Sequence, residues 1–569
     1  MGWFIGIAGR NQSLKNSILS LTSSNDFNVE SESFFLLAGG HHQTTHYQLD
    51  EDQKAGWVAS GIGISTCEEP KLYDLDDWDQ AIGKGVNHLH QINGHFSVCR
   101  WNDQTAELIT DQLGIRNVFI HPANDFVLFS TRLDWIKKLI PHTTIDWEKF
   151  GSRWLAINQF SNGSFIQGVE RISQGGHATI TPEGVSVSNQ RWNYNQREVG
   201  PQSFMNALSN FSTLPLKHGQ PLSLGLSGGL DSRTLFAILL QQSNSNWTTH
   251  TFGEASHPDL KTATLLNGFY NKEHYVFEER IPEAKEIEDL LPDFIGQTML
   301  TSTPSHFVGF QAYKKIQDLG FSVIDGGFGE IARRRFMNNI LLRSKTALLK
   351  KDISALIPFL RLDRSDIFTE ECNNSMISGL GEELEEEIDA MPDITEIGIE
   401  NWLDLFTVRT RVPNAAGPEQ ARSDNELLNY MPFLQPDLIE LALSLPVKDR
   451  KNARIFRTFI KRNTPKLQSA PLIKGDYSYP YWMKDYTSAI WMRLKQKFGM
   501  KYESPQTIDF LMTMEEYIRD LHNSKSAKEF SAYDHRKIDQ LITGFYDNKN
   551  NDLAHQLNWW LAFEVFRQI

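Results

Sequence analysis

The hexapeptide SGGLDS at residues 227–232 joins an apolar run, LSLGL, to a second apolar run, RTLFAILL. The first run has the length of a buried strand and the second the composition of a helix. Two adjacent glycines let backbone N–H groups approach an anion, and the helix directs the positive end of its dipole to the same point. The pattern therefore predicts a strand, a phosphate-binding turn and a helix.

Polar side chains of the hexapeptide fit the same chemistry. Ser227 and Ser232 offer hydroxyl donors, and Asp231 offers a carboxylate that can hold Mg²⁺ against phosphates. The loop is not of the GxxxxGK[ST] type, because no lysine follows the glycines and the spacing is shorter. A bare glycine pair would indicate only an ordinary turn with a capped helix, whereas the whole hexapeptide between a strand and a helix favours phosphate binding.

Strand-then-helix units continue after the hexapeptide, at WTTHTFG with DLKTATLLNGFY and at FSVIDGG. This alternation predicts a parallel sheet with crossover helices, whose ligand sites lie beyond the carboxyl ends of the strands. From about residue 340 the pattern is mostly helical, and we interpret the acidic run GEELEEEIDA as a solvated helix face.

The preceding part of the chain has a different pattern, with many short β-like runs separated by turns, such as GWFIGIAG, GHFSVCRW and HATITPEGVSVS. It predicts stacked antiparallel sheets with few helices. The polar stretch RWNYNQREVGPQS loses periodicity, and 569 residues exceed one hydrophobic core. We therefore predict two domains, residues 1–195 and 196–569, in an α/β and α+β fold.

Net charge and composition disfavour nucleic acid and membranes as partners of this chain. The net charge of −14 disfavours nucleic acid, and no apolar run reaches the roughly 20 residues needed to span a membrane. Cys67, Cys99 and Cys372 lack the spacing of a metal site or a disulfide framework. We expect a cytoplasmic protein that binds neither nucleic acid nor membrane.

The hexapeptide with its flanks resembles the PP-loop ATP pyrophosphatases, and within them the asparagine synthetase-like branch. The resemblance implies ATP and Mg²⁺ as cofactors: a carboxylate attacks the α-phosphate, and an amine then captures the acyl group from the resulting adenylate. The implied nucleotide-binding residues are Leu226, Ser227, Gly228, Gly229, Asp231, Ser232, Thr251, Phe252, Gly326 and Gly327.

Further segments carry the same resemblance. TFGEASHPDLKTA is similar to the family's second strand and D-x-x-x-A helix, and SVIDGGFGE resembles its G-x-G-x-D-E segment. That alignment implies a metal site of Asp231 and Glu330, the alternative for Glu330 being a solvent-facing glutamate. NYMPFLQPDLIELALSLP resembles the P-F-L-D signature, with Gln435 in place of aspartate. PLIKGDYSYPYW places Lys474 where the family has its catalytic lysine, the alternative being a surface lysine.

The first half resembles the class II glutamine amidotransferase domain of the same family, through INGHFSVCRWND and the D-x-x-G-x-R of Asp111, Gly114 and Arg116. A working glutaminase of that class uses a cysteine at the second encoded residue. Because Gly2 stands there, we predict an inactive glutaminase, so that the amine comes from the substrate itself.

Two groups in the family join a substrate's own amine, the β-lactam synthetases and the lasso peptide cyclases. The acid–base pair of the former corresponds here to Gly327 and Leu428, which cannot transfer protons. A peptide α-amine, with a pKa near 8, needs no such pair. The resemblance therefore favours a lasso peptide cyclase, a macrolactam synthetase acting on a ribosomal precursor peptide, with a leader peptidase and a leader-recognition protein as partners.

Two alternatives stay open at this point. One is an ammonia-dependent asparagine synthetase-like enzyme or another small-molecule amide ligase, and the other is a non-catalytic nucleotide-binding relative. The run Arg333, Arg334 and Arg335 fits either the lining of a peptide cleft or a structural basic cluster.

Overall fold

The computed structural model describes residues 2–9, 11–22, 27–31, 33–52, 54–66, 69–140, 142–243, 246–362, 364–475, 477–500 and 502–569. In the described part of the first half, short runs of residues separated by turns form twelve β-strands. They are Trp3–Gly9 (β1), Phe27–Glu30 (β2), Phe34–Gly39 (β3), Thr45–Leu49 (β4), Gly56–Ile64 (β5), Asn93–Trp101 (β6), Ala106–Thr110 (β7), Val118–Pro122 (β8), Phe126–Ser130 (β9), Glu170–Ile172 (β10), His177–Thr181 (β11) and Gly184–Ser188 (β12).

These strands form two six-stranded antiparallel sheets, in the orders β10-β8-β9-β1-β3-β2 and β12-β11-β7-β6-β5-β4. The inner faces pack together through apolar side chains such as Phe4 and Phe129 from one sheet and Val58 and Trp101 from the other. The predicted stacked antiparallel sheets are therefore confirmed. Five helices accompany them: Gln12–Leu19 (α1), Leu75–Gly83 (α2), Val86–Leu89 (α3), Leu133–Leu139 (α4) and Trp147–Leu155 (α5).

The polar stretch after β12 has no regular structure until a helix begins at Pro201, and a five-stranded parallel sheet follows. Its strands lie in the order β15-β14-β13-β16-β17. They are Leu222–Gly225 (β13), Trp247–Phe252 (β14), His274–Phe277 (β15), Ser322–Ile324 (β16) and Asn429–Tyr430 (β17), and a separate antiparallel hairpin pairs Leu472–Lys474 (β18) with Tyr477–Tyr479 (β19).

Helices surround this sheet and make up most of the chain beyond residue 340, as the sequence predicted. They are Pro201–Ser212 (α6), Leu214–Lys217 (α7), Leu230–Leu239 (α8), Pro258–Gly268 (α9), Ala284–Thr298 (α10), Phe307–Asp318 (α11), Asn338–Arg343 (α12), Lys345–Leu349 (α13), Ile353–Leu360 (α14), Glu370–Asp389 (α15), Ile394–Arg411 (α16), Gly417–Glu426 (α17), Pro436–Ser444 (α18), Val447–Arg450 (α19), Arg454–Asn463 (α20), Asp485–Lys497 (α21), Gln506–Thr513 (α22), Glu515–Asn523 (α23), Lys525–Lys528 (α24), His535–Asn548 (α25) and Asn551–Gln568 (α26).

The acidic run on α15 is only in part the solvated face that we predicted. Glu382, Glu385 and Glu386 are exposed, but Glu383 accepts a hydrogen bond from Ser161 at 2.7 Å. Glu387, 3 % exposed, accepts one from Arg191 at 2.9 Å. Residues four apart share one face of a helix, so the helical period divides a uniformly acidic run between solvent and the first half of the chain.

None of the helices within the described ranges is long and apolar enough to cross a membrane. Cys99 and Cys372 are buried and free, and Cys67 lies outside the described residues.

The two halves meet through a buried ion pair. Asp424 on α17 accepts hydrogen bonds from Arg116 and lies 3.0 Å from His95 Nε2. Asp111, by contrast, accepts hydrogen bonds from the backbone N–H groups of Leu113, Ile115 and Arg116. The D-x-x-G-x-R motif thus builds a loop that aims its arginine at the other half of the chain.

We expect Asp424→Ala to lower the free energy of unfolding by about 3–5 kcal/mol, since it removes a fully buried carboxylate that pairs with the Arg116 guanidinium. Urea unfolding followed by tryptophan fluorescence measures the change. The control is Asp366→Ala, whose exposed pair with Lys537 should contribute no more than about 1 kcal/mol. A loss for Asp424→Ala no larger than that of the control would contradict the role of this pair.

Candidate active site

A cavity of about 520 Å³ opens at the carboxyl edge of the parallel sheet. It lies between the segments that follow β13 and β16, where the strand order reverses direction, which is the usual ligand crevice of such sheets. All but one of the nucleotide-binding, metal-binding and catalytic residues that the resemblance implies line this cavity, the exception being Gly228. They are Leu226, Ser227, Gly229, Asp231, Ser232, Thr251, Phe252, Gly326, Gly327, Glu330 and Lys474. Residues from four separate segments are thus brought together, while their individual roles stay predictions.

The loop between β13 and α8 is held by its own side chains and by α9. Ser227 N–H donates to Ser232 Oγ at 3.2 Å, Gly229 N–H to Ser227 Oγ at 3.1 Å, and Gly228 N–H to Asp259 Oδ1 at 2.7 Å. The glycine amides predicted to cradle a phosphate therefore already have partners. The first turn of α8 begins at Leu230 and carries amides without intrahelical acceptors, so it is the better anion site.

Gly326 and Gly329 let the segment after β16 lie directly against α8. A Cβ atom at Gly326 would lie 2.8 Å from Ser232 N, and one at Gly329 would lie 2.4 Å from Asp231 Cγ. Both distances are too short for any side chain. The glycines are therefore required for close approach of the two segments, which brings Glu330 to the same side of the cavity as Asp231.

Arg333 lies between the two predicted metal-binding carboxylates. Its guanidinium donates to Asp231 Oδ2 and lies 3.5 Å from Glu330 Oε1. Burial raises the pKa of Asp231 to about 7, although Arg333 opposes the rise. The remaining oxygen, Asp231 Oδ1, is buried and has no hydrogen-bond partner among the described residues.

This donor set is compatible with Mg²⁺. The carboxylates of Asp231 and Glu330 both lie next to Arg333, and one oxygen of Asp231 is buried without a hydrogen-bond partner among the described residues. They supply the hard oxygen ligands that Mg²⁺ prefers, and phosphates or water would complete its coordination. The described residues contain no cluster of three or more Asp, Glu, His or Cys side chains able to hold a metal. A cation here would therefore depend on a phosphate ligand, and Arg333 now occupies the space between the carboxylates.

The three consecutive arginines separate. Arg333 and Arg335 line the cavity, and Arg335 donates to Asp485 at the start of α21. Arg334 is buried away from it, donating to the carbonyl of Phe336 at 2.7 Å and pairing with Asp404. Two members of the run therefore face the cavity and one is structural, while contact with a peptide stays a prediction.

The hairpin that carries Lys474 is attached to the glycine loop. Ile473 N–H donates to the Gly228 carbonyl at 3.0 Å, and a Cβ at Gly228 would lie 2.1 Å from Ile473 Cγ1. Gly228 thus contributes by admitting the hairpin rather than by lining the cavity. Buried Arg233, which directly follows the hexapeptide, donates to the carbonyls of Leu467 and Ala470 and fixes the chain leading into the hairpin.

The side chain of Lys474 lies at the cavity wall and remains open to solvent. Its pKa is lowered to about 8, first by desolvation from the surrounding atoms and then by the positive charges of Arg335 and Arg333, while Glu330 opposes the shift. A lysine with this pKa exchanges its proton near physiological pH, unlike an ordinary surface lysine.

Thr251 and Phe252, at the end of β14, lie on the cavity wall as part of the strand edge. Thr251 Oγ1 donates to the Leu226 carbonyl at 2.6 Å and so ties the end of β14 to the loop after β13. Leu428, by contrast, is 1 % exposed in the apolar core, and only Gly327 of the pair discussed above reaches the cavity.

In the first half, position 2 has no space for a side chain. Gly2 N–H donates to Thr44 Oγ1 at 2.9 Å, and a Cβ there would lie 1.9 Å from the Thr44 carbonyl oxygen.

Gln435 joins the two halves of the chain, because Gly94 N–H donates to Gln435 Oε1 at 2.9 Å. Gln435 is fully buried and also donates to the Met431 carbonyl at 3.0 Å. An aspartate could not make that second bond, which accounts for the departure from P-F-L-D.

No protein-family model and no curated protein matches the sequence. Among solved structures, the chain has remote similarity to one described as the allosteric regulatory enzyme of purine biosynthesis, with 9% identity over 50% of this chain and 82% of that chain and a TM-score of 0.24. Glutamine phosphoribosylpyrophosphate amidotransferase from B. subtilis, complexed with ADP and GMP, shares 8% identity over 57% of this chain and 81% of that chain, with a TM-score of 0.23. TM-scores this low establish no shared fold.

The sequence does not indicate the contacts of three residues that organise the site, namely Asp259, Arg333 and Arg233. Asp259 was recognised within the D-x-x-x-A segment, but its hold on Gly228 N–H depends on how α9 packs. Arg333 was one of three equivalent arginines. Only its position immediately after the hexapeptide could have drawn attention to Arg233.

Proposed function

We propose that the chain is an ATP-dependent amide ligase that releases AMP and pyrophosphate. The observation that carries the proposal is the meeting, on one cavity, of the SGGLDS turn, the carboxylates of Asp231 and Glu330, and Lys474. Each would be unremarkable alone, since glycine turns and surface lysines are common. Their convergence from distant segments, at the reversal point of a parallel sheet, is what the proposed chemistry requires.

In the proposed reaction a carboxylate oxygen attacks the α-phosphate of ATP and pyrophosphate leaves. An amine then attacks the acyl carbon, loses a proton, and AMP leaves with one oxygen of the original carboxylate, so that the joined product is lighter than its substrate by the elements of one water. The first turn of α8 would bind phosphate oxygens through its backbone amides. Lys474, in its ammonium form, would stabilise the charge that develops around the α-phosphate and the acyl carbon in both steps.

Asp231 and Glu330 would hold Mg²⁺, which when bound offsets the charge of the ATP phosphates. Arg333 now neutralises both carboxylates, so its guanidinium has to exchange partners when the cation and nucleotide bind. Arg335 is held on the cavity wall by Asp485 and adds a second positive charge on the same side. The chain thereby offers charge for the phosphates before any cation is bound.

We further propose that the acceptor amine and the carboxylate belong to one peptide, so that the product is a macrolactam of the lasso type. Two observations support this. Position 2 cannot carry a nucleophile for glutamine hydrolysis, and Leu428 is buried where a β-lactam synthetase needs an acid–base partner. A peptide's terminal amine supplies its own nucleophile near neutral pH.

Mass spectrometry of a reaction containing ATP, Mg²⁺ and a candidate precursor peptide tests the proposal. We expect AMP, pyrophosphate and a peptide lighter by the mass of one water, about 18 Da. Parallel reactions with aspartate and ammonium distinguish the alternatives, because asparagine formed in place of a cyclic peptide would replace the macrolactam proposal by a small-molecule one. Absence of pyrophosphate release with every carboxylate tested would indicate a non-catalytic nucleotide-binding protein.

A further inference from the structure

Large exposed apolar side chains concentrate in one 17-residue stretch around α21, residues 482–498. Trp482, Tyr486, Ile490, Leu494 and Phe498 recur every fourth residue, with 71, 77, 42, 46 and 72 % of each side chain exposed. Tyr486, Ile490 and Leu494 lie within α21 at this spacing, which places them on one face of the helix. Trp482 lies in the turn before the helix, and Phe498 lies directly after its last residue. We call these five residues the apolar stripe.

The helix beneath the apolar stripe is almost free-standing. Among the 13 residues of α21, only Ser488 is buried. A helix of this length is marginal in water by itself, and its stability normally comes from packing an apolar face. Large contiguous apolar patches on folded proteins mark interaction sites. The stripe therefore has the properties of a surface that a partner covers.

The surroundings of the apolar stripe define the charge of that partner. Lys484, Arg493 and Lys497 are exposed beside it, and Asp485 is paired with Arg335. This is a basic surface on a chain whose net charge is −14. It therefore favours a ligand that combines apolar or aromatic groups with carboxylates.

The apolar stripe also leads into the candidate active site. Asp485, the first residue of α21, lines the cavity. Lys495 Nζ donates to Ser478 Oγ at 3.0 Å, and so ties the helix to the hairpin in which Lys474 pairs with Tyr477. A ligand lying along α21, about 20 Å in length, would reach the cavity beside the predicted catalytic lysine.

We propose that the apolar stripe binds the substrate peptide, through a segment rich in apolar and acidic residues that lies outside the ring being closed. The proposal rests on the proposed function. A second copy of the chain fits less well, because a two-fold interface presents the same basic surface on both sides and so brings positive charges together. An anionic membrane shares the required chemistry, but it would not use the continuity between the stripe and the cavity.

Fluorescence anisotropy with a labelled twelve-residue synthetic peptide of alternating Phe and Glu tests the docking site on the full chain. We expect the double variant Tyr486→Ser/Phe498→Ser to bind this probe at least about 10-fold more weakly than the wild type. The matched control is Leu342→Ser/Leu349→Ser, which removes two exposed leucines elsewhere and should bind normally. A peptide with Lys in place of Glu should bind more weakly, and added salt should weaken the binding of the Glu peptide.

Several results would overturn the docking site. The first is failure of the wild type to bind the Glu peptide, and the second is equal binding of that peptide by the double variant. The third is sedimentation of the wild type as a dimer and of the double variant as a monomer. Cosedimentation of the wild type, but not the variant, with phosphatidylcholine vesicles containing phosphatidylserine would assign the stripe to a membrane instead.

Failure of the docking site and failure of the ligase chemistry give different results. If the double variant has an unchanged KM for a peptide that the wild type cyclises, the docking-site proposal is wrong and the ligase proposal stands. Probe binding that depends on the stripe, without pyrophosphate release from any peptide, would leave the docking site and remove the ligase.

Discussion

Asp231→Asn is expected to reduce ATP–pyrophosphate exchange by at least about 10³-fold while leaving the fold intact. The substitution keeps the size of the side chain but removes the charge that a cation requires. It also removes the ion pair with Arg333, which can still pair with Glu330 at 3.5 Å. Loss of exchange without loss of structure is the result that separates a metal ligand from a structural carboxylate.

Two further measurements make the Asp231 experiment decisive. Binding of Mn²⁺ with ATP, followed by electron paramagnetic resonance, should weaken in Asp231→Asn without reference to turnover. Asp485→Asn is the matched control, because Asp485 lines the same cavity and pairs with an arginine but does not contact Arg333. We expect less than about a 10-fold loss for that control. Exchange by Asp231→Asn within a factor of about ten of wild type would refute the assignment of the turn.

Lys474→Ala should bind ATP within about threefold of wild type but form product about 10²–10³-fold more slowly. The ammonium group is proposed to act on charge that develops during the reaction, so its removal affects turnover more than nucleotide binding. Isothermal titration calorimetry and single-turnover kinetics measure the two quantities. Lys217→Ala, at an exposed lysine that neither lines the cavity nor belongs to the surface around α21, should behave as wild type.

The pH profile gives Lys474 a second test. Its pKa is lowered to about 8, so the charged form decreases as pH rises through that value, and turnover that needs the ammonium form should fall above about pH 8. Lys474→Arg should move this fall to higher pH, since an arginine stays protonated. A profile identical in wild type and Lys474→Arg would show that another group controls the alkaline limb.

The sequence predicted the local features of the site well because they depend on neighbouring residues. An apolar strand, two glycines and a helix start are all encoded within about fifteen residues around the hexapeptide. The resemblance also marked the segment that contains Gly326, Gly327 and Gly329, although it did not indicate which atoms these glycines contact. Gly326 and Gly329 proved to pack against Ser232 and Asp231.

Features that depend on distant segments could not be predicted in the same way. The partner of Arg333 lies about a hundred residues earlier in the chain, and nothing local distinguishes it from Arg334, which is buried against Asp404. The contact of Gln435 with Gly94 joins opposite halves of the chain and exists only once both have folded. The exposure of the apolar stripe could not be predicted, because apolar residues at every fourth position are also typical of a helix that packs against the core.

The position of α26 also determines when the first half of the molecule can be completed during synthesis. Phe150 and Trp154 on α5 pack against Phe563 and Trp559 of α26. At about 5–20 residues per second, the roughly 400 residues between these partners take on the order of 20–80 s to appear. Through that interval the contacts between α5 and α26 cannot form, so this part of the nascent chain stays available to chaperones while all the residues of the candidate active site are being synthesised.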